Sequence, residues 1–170
     1  MMIQYFASDI EVASIVFWTF GDVGRASWSE LFLMFCFLVP TSLFFMIHRL
    51  NFNALAMGDD VAKSLGVNVE TLRKTSLIMA ALVAALAVAT FGVIGFIGLA
   101  APHITRRMTG GDHRHLLPQS CFMGALILLS ADTVARSIMA PIVLPVGIVT
   151  SFMGAPLFLY LLIKGGNLRS

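Results

Sequence analysis

The chain holds 170 residues, 58% of them apolar and only 12% charged, with a formal net charge of +2 and a mean hydropathy of +0.90. A soluble domain carries roughly 25% charged residues, so this composition excludes a water-soluble globular enzyme and, equally, intrinsic disorder. The surplus apolar surface calls for lipid as its solvent, and the basic residues sit at the ends of apolar runs, where they mark membrane topology and not nucleic-acid contact.

Residues 1–12 contain Asp9 and Glu11 and no basic stretch ahead of an apolar one, so they do not read as a cleavable signal. The uncharged residues 12–21, with Trp18 and the nearby Trp28, fit an outer interfacial segment that is too short to span. Asp22, Gly24 and Glu30 then mark a loop and the start of a helix. A first span is expected over about 30–48.

Residues 51–71 form an amphipathic stretch. Leu55, Val61, Ala62, Leu65 and Val69 supply its apolar positions, Gly58 and Gly66 punctuate two short helices, and Asp59 and Asp60 suit the N-terminus of the second. Connections between neighbouring helices usually need about 2–8 residues, so a segment this long asks for a partner surface.

The next charge-free run, 75–105, is 31 residues long. As one helix it would measure about 46 Å, against roughly 30 Å of hydrocarbon. Gly92, Gly95 and Gly98 permit a reversal or a broken helix. The second piece is then short, ends at Pro102-His103, and needs Arg106 and Arg107 to snorkel. Charge bias supports two crossings. With 51–71 cytoplasmic, Arg49, Lys63, Arg73, Lys74, Arg106, Arg107, Arg114, Lys164 and Arg169 all fall inside, leaving only Arg25 and Arg136 outside. A single crossing would move five of the inside residues out. The expected architecture is an all-α polytopic membrane helix bundle, one domain over 1–170. Its five spans lie at about 30–48, 70–91, 94–109, 115–138 and 145–164, and its C-terminus is cytoplasmic.

Asp132 and Arg136 are four apart, on one face near the outer edge of the fourth span, a favourable acid-then-base pair where unpaired charge is expensive. Pro141, Pro145, Gly147, Gly154 and Pro156 break the last apolar run, as in helices that move or line a pathway. Cys36 and Cys121 have no partners at ligand spacing and read as small hydrophobes. His103, His113 and His115 do not suit a metal site, since the latter two sit in a loop flanked by arginines. No metal or cofactor is expected. The chain lacks a G-x-x-x-x-G-K-[ST] phosphate loop and any credible catalytic constellation.

Several motifs in order carry a resemblance. They are Asn53-Ala-Leu-Ala-Met-Gly-Asp-Asp-Val-Ala-Lys-Ser-Leu-Gly66, Gly92-Val-Ile-Gly-Phe-Ile-Gly-Leu-Ala-Ala-Pro-His-Ile-Thr-Arg106 and Asp112-His-Arg-His-Leu-Leu-Pro118. Gly124-Ala-Leu-Ile-Leu-Leu-Ser-Ala-Asp-Thr-Val-Ala-Arg136 and Leu144-Pro-Val-Gly-Ile-Val-Thr-Ser-Phe-Met-Gly-Ala-Pro-Leu-Phe158 complete the set. Together they resemble the C-terminal half of the iron-siderophore, haem and cobalamin permease family, the membrane subunits of ATP-binding-cassette importers. The resemblance implies a ten-helix subunit of about twice this length, a permease homodimer, a separate ATP-binding subunit and an external substrate-binding protein. It implies that Leu55, Gly58, Asp59, Asp60, Ala62, Leu65 and Gly66 couple to the ATPase, with Gly58 as a bend that allows close backbone approach. It also implies that Arg136, with Asp132, meets the binding protein. Gly92, Gly95, Gly98, Pro102, Pro145, Gly147, Gly154 and Pro156 become pathway or hinge positions. Where the family usually has Glu before Leu-Pro-[Val/Ile]-Gly, this chain has Val143. The alternatives are a truncated or split permease inactive alone, and an intramembrane enzyme using His103, Asp132 or the His113/His115 pair.

Overall fold

The computed structural model describes residues 18–138 and 144–166, the side chains of 25, 157, 158 and 160–166 excepted. Most of the interfacial segment, Pro141, Val143 and Arg169 therefore lie outside the described residues. The described residues are helical with short connections and contain no strand.

After a 3-10 turn at Val23–Arg25, the first long helix, α1, covers Trp28–Ile47. Its start lies a little before the expected one. Ser27 closes a capping box: the Glu30 N–H donates to Ser27 Oγ at 3.3 Å and the Ser27 N–H donates to Glu30 Oε2 at 2.9 Å. The Ser-x-x-Glu spacing that announces this cap is readable at 27–30. Only His48 separates α1 from α2 (Arg49–Ala56), and its Nδ1 lies 2.9 Å from the Phe44 carbonyl oxygen. Gly58, at φ 117 and ψ 153, turns the chain into α3 (Asp59–Ser64), which Gly66 terminates at φ 81. Asn68 Oδ1 accepts the Thr71 N–H at 3.1 Å and so caps α4 (Val69–Phe91). The expected helix pair is thus present, and it has a core of its own. Ala54, Ala62 and Val69 are buried together, with Leu55 and Val67 packed against them. Alanine at 54 and 62 lets the two short helices lie close together.

The break after α4 falls where glycine allows it. Gly92 takes φ 76, and helix resumes only with α5 at Ile97–Thr109. Pro102 does not end this helix but sits inside it, contrary to expectation. It lies one turn beyond the start, where its missing N–H costs the helix one bond, that to the carbonyl of Gly98. Gly110, at φ 86, donates its N–H to the Arg106 carbonyl and closes α5. The next helix, α6 (His113–Ile138), begins directly at the histidines, which therefore occupy its first turn and not a loop. The final helix, α7, covers Val146–Gly166, with Pro145 just ahead of it and Pro156 inside it.

Among the described residues, α1, α4 and α6 are each long and apolar enough to cross a bilayer unaided. By contrast, the 13 residues of α5 span only about 20 Å, because 92–96 are withdrawn from helix. Non-helical backbone at membrane depth is tolerated when protein satisfies it. Here the Asp22 N–H donates to the Phe91 carbonyl at 2.9 Å, and the Val93 N–H to the Trp18 carbonyl at 3.4 Å.

Contacts divide the chain into two compact units, one of Met1–Ala26, Val88–Ala100 and Gly124–Ser170, the other of Ser27–Ala87 and Ala101–Met123. In the first, backbones press together at glycine. A Cβ on Gly92 would meet the Trp18 carbonyl oxygen, one on Gly147 would meet that of Phe20, and one on Gly154 would meet the Phe96 side chain. Ala131, Ala135, Val146 and Thr150 are buried in this unit. In the second, α1 buries none of its residues, so its apolar surface is left for lipid or for other chains.

Candidate functional site

The two short helices form an arm with an inner and an outer face. Ala62 is completely buried and Leu55 is partly buried against the arm's core. Met57 (73% exposed), Leu65 (65% exposed) and Val61 project from the arm. Gly58 sits at the bend, and none of the described residues comes within 4 Å of the place a Cβ would occupy. Its φ of 117 is what requires glycine. Asp59 and Asp60 form the first turn of α3, as expected.

Each helix of the arm is tied to the start of a longer helix. In α2, Asn53 uses its whole amide. Its Nδ2 donates to Asp112 Oδ1 at 2.7 Å, while its Oδ1 accepts the His113 backbone N–H and lies 2.8 Å from His113 Nδ1. Asp112 Oδ1 also accepts the Arg114 N–H at 2.9 Å. That backbone bond, followed by the one from Asn53, holds the Asp112 carboxyl below its ordinary value of 3.8. The ring of Phe52 lies between those of Phe45 and His113, at 5.5 and 6.2 Å. In α3, just after the bend, Asp59 receives Arg73 Nη2 from the second turn of α4, at 3.0 Å to Oδ1 and 3.2 Å to Oδ2.

Asn53 and Arg73 were not singled out by sequence reasoning. Their partners lie 59 and 14 positions away, and no local periodicity reports such pairings. The only signal is that Asn53, Asp112 and His113 belong to the motifs quoted above.

The second expected site lies on α6. Arg136 Nε donates to Asp132 Oδ2 at 2.8 Å, with Asp132 the less exposed of the two. The guanidinium lies against the 22–24 turn, Nη2 being 3.1 Å from where a Gly24 Cβ would stand, and Asp22 Oδ1 accepts the Gly24 N–H at 2.8 Å. Arg136 thus sits beside Asp22 as well as Asp132.

The expected hinge positions separate by role. Gly92 makes the break, and Gly147 and Gly154 are close-contact sites. Gly95 has only the Ser151 hydroxyl near, at 3.9 Å, and Gly98 has nothing within 4 Å. Phe96, which ends the break, takes a left-handed φ of 67. This strained position was not foreseen, since only glycine advertises such backbone in a sequence. Among the described residues no group of three or more His, Cys, Asp or Glu side chains could hold a metal ion.

The sequence profile of the FecCD transport family matches residues 1–164. The chain is 40% identical to the hemin transport system permease protein of Yersinia pestis over 99% of its own length and 51% of that protein's. It is 38% identical to the vitamin B12 import system permease protein of Citrobacter koseri, over 94% and 48%. A solved structure described as a metal-chelate type ABC transporter in an inward-facing conformation superposes with a TM-score of 0.85 at 34% identity. The match covers 96% of this chain and 53% of that one. The chain spans about half the length of the curated relatives it matches.

Proposed function

The chain belongs to the FecCD transport family, and we propose that it supplies part of the membrane permease of an ATP-binding-cassette importer. In this reading it works with further permease helices, in a permease homodimer, on a separate ATP-binding subunit. It receives cargo from an external binding protein. The cargo class is a large pre-formed complex such as an iron siderophore, haem or cobalamin, in line with the relatives named for hemin and vitamin B12. Because the chain spans about half of those relatives, it is not expected to transport alone.

The observation that carries the reading is the arm. It lies outside the long apolar helices, has a core of its own, and projects Met57, Val61 and Leu65. Solvent-facing apolar side chains on an ordered element suit a protein partner. The tie from Asn53 to Asp112 and His113 keeps the arm beside the α5–α6 turn. This supports a chain that leaves that membrane face in α4 and returns in α5, the topology that the distribution of basic residues favours. The C-terminus then lies on the cytoplasmic face.

Thiol labelling of single cysteines tests both the topology and the partner. In a background lacking Cys36 and Cys121, Leu65→Cys and Gly111→Cys should both react from the cytoplasmic side, and Gly111 has open space for the new side chain. Bound ATP-binding subunit should slow labelling of Leu65→Cys by roughly tenfold, as burial in an interface of ordinary affinity would. Labelling of Gly111→Cys only from outside would overturn the topology, and unprotected Leu65→Cys would overturn the docking of the arm.

Arg136, half exposed in the Asp132–Arg136 pair, is the proposed contact for an acidic residue of the binding protein. An exposed pair of this kind adds little to fold stability, so its charge is available for recognition. Arg136→Glu should weaken binding-protein affinity by roughly tenfold and make it less sensitive to salt. Unchanged affinity would remove this role.

A further inference from the structure

We propose that Asn53 and the Arg73–Asp59 ion pair are positioning residues that fasten the two helices of the α2–α3 arm, one on each side of the Gly58 bend, to the roots of α6 and α4, making the arm a rigid lever. The proposal rests on the reading above, in which the arm receives the push of the ATP-binding subunit.

At Gly58 the backbone takes φ 117 and a Cβ would meet nothing within 4 Å, while Ala54 and Ala62 pack α2 against α3 across the bend. That core holds the two short helices to each other, and a side-chain tie on each side of the bend passes their movement to a longer helix. The first backbone N–H groups of α6 have no partner inside their own helix. Asn53 Oδ1 accepts from that of His113 and Asp112 Oδ1 from that of Arg114, while Asn53 Nδ2 donates to the same Asp112 oxygen. Asn53 thus satisfies the first N–H of α6 from another helix, beside the cap that Asp112 supplies, and α2 cannot move off without freeing that N–H. Phe52 adds a ring contact to His113 on the same side.

On the other side of the bend, both Asp59 carboxylate oxygens lie within 3.2 Å of Arg73 Nη2. Asp59 opens α3 and Arg73 belongs to α4, so a load on α3 passes to α4 directly. Both side chains are about half exposed, and such a pair contributes little to stability. Its loss should therefore appear in coupling and not in folding. Two attachments on different helices mean that displacement of the arm moves α4 and α6 together.

The test uses the complete permease assembled with its ATP-binding subunit in proteoliposomes, reading cargo moved per ATP hydrolysed alongside retention of the subunit. Asn53→Ala and Arg73→Asp should each leave the subunit bound while transport per ATP falls about three- to tenfold, the scale of coupling losses along packed networks. Combining Asp59→Arg with Arg73→Asp should restore at least half of the loss. A purely structural role would lower assembly and transport in step and leave their ratio unchanged, which would overturn the proposal, as would failure of the charge exchange to recover. Should Asn53→Ala not assemble, Asn53→Cys with Asp112→Cys, joined by a short thiol cross-linker, decides the matter. Retained transport per ATP supports a tie that stays closed, and its loss on cross-linking overturns it. If the unmodified permease does not retain the ATP-binding subunit, the importer reading fails and the ties are not at fault.

Discussion

Replacing Gly147 by alanine should destabilise the permease by about 3 kcal/mol, the upper part of the range for overpacked interiors. The new Cβ would run into the carbonyl oxygen of Phe20, with the Phe20 carbonyl carbon at 2.8 Å and the Val93 carbonyl oxygen at 2.9 Å. All three obstacles are main-chain atoms, which cannot swing aside as the tip of a long side chain can. Relief would require α7 to lift away from two backbone segments at once, exposing Val146 and Thr150, which are now buried. The measurement is the thermal unfolding midpoint of the assembled permease in detergent, compared with Gly111→Ala, where a Cβ would meet open space. A midpoint for Gly147→Ala equal to that of Gly111→Ala would show that this backbone crossing is not made in the folded protein.

Gly58→Ala should lower affinity for the ATP-binding subunit about tenfold while leaving membrane insertion intact. At φ 117 and ψ 153 a Cβ is strained whatever the space around it, and such conformations cost about 1–3 kcal/mol for residues other than glycine. Relaxing that strain re-aims α3 and with it Val61 and Leu65, and each 1.4 kcal/mol lost from the docking-competent arrangement is roughly a factor of ten in binding. Because no atom lies near the missing Cβ, Gly58→Leu should cost about as much as Gly58→Ala. A steep loss from alanine to leucine would point instead to crowding against a bound partner, and equal loss of insertion and binding would assign Gly58 a role in folding.

The helices were largely legible because their signals are local. Apolar runs bounded by Arg49, Arg106 and Arg136, and the glycines at 58 and 92, mark α1 to α7 within a few residues. What the glycines do was less legible. Gly92, Gly95 and Gly98 look alike in the motif, yet one has left-handed backbone, one lies near a serine and one faces nothing. The amino-acid type states that freedom exists, and only φ and the neighbours state how it is used. The arm's amphipathicity was legible in kind but not in direction, since burial of Ala62 and exposure of Leu65 depend on how α2 and α3 pack. Asn53 and Arg73 were out of reach for a further reason. Their partners are polar groups in other parts of the chain, and a hydrogen bond between distant segments leaves no periodic trace.

That distance also sets a timetable for synthesis. Asn53 and His113 are 60 positions apart, and ribosomes add about 5–20 residues each second, so roughly 3–12 s pass between making the cap and making the helix it closes. During that interval the Asn53 amide lacks its α6 partners. Closure of this tie is therefore a late event in biogenesis, possible only when the start of α6 has emerged, whereas the arm's core of Ala54, Ala62 and Val69 can form earlier.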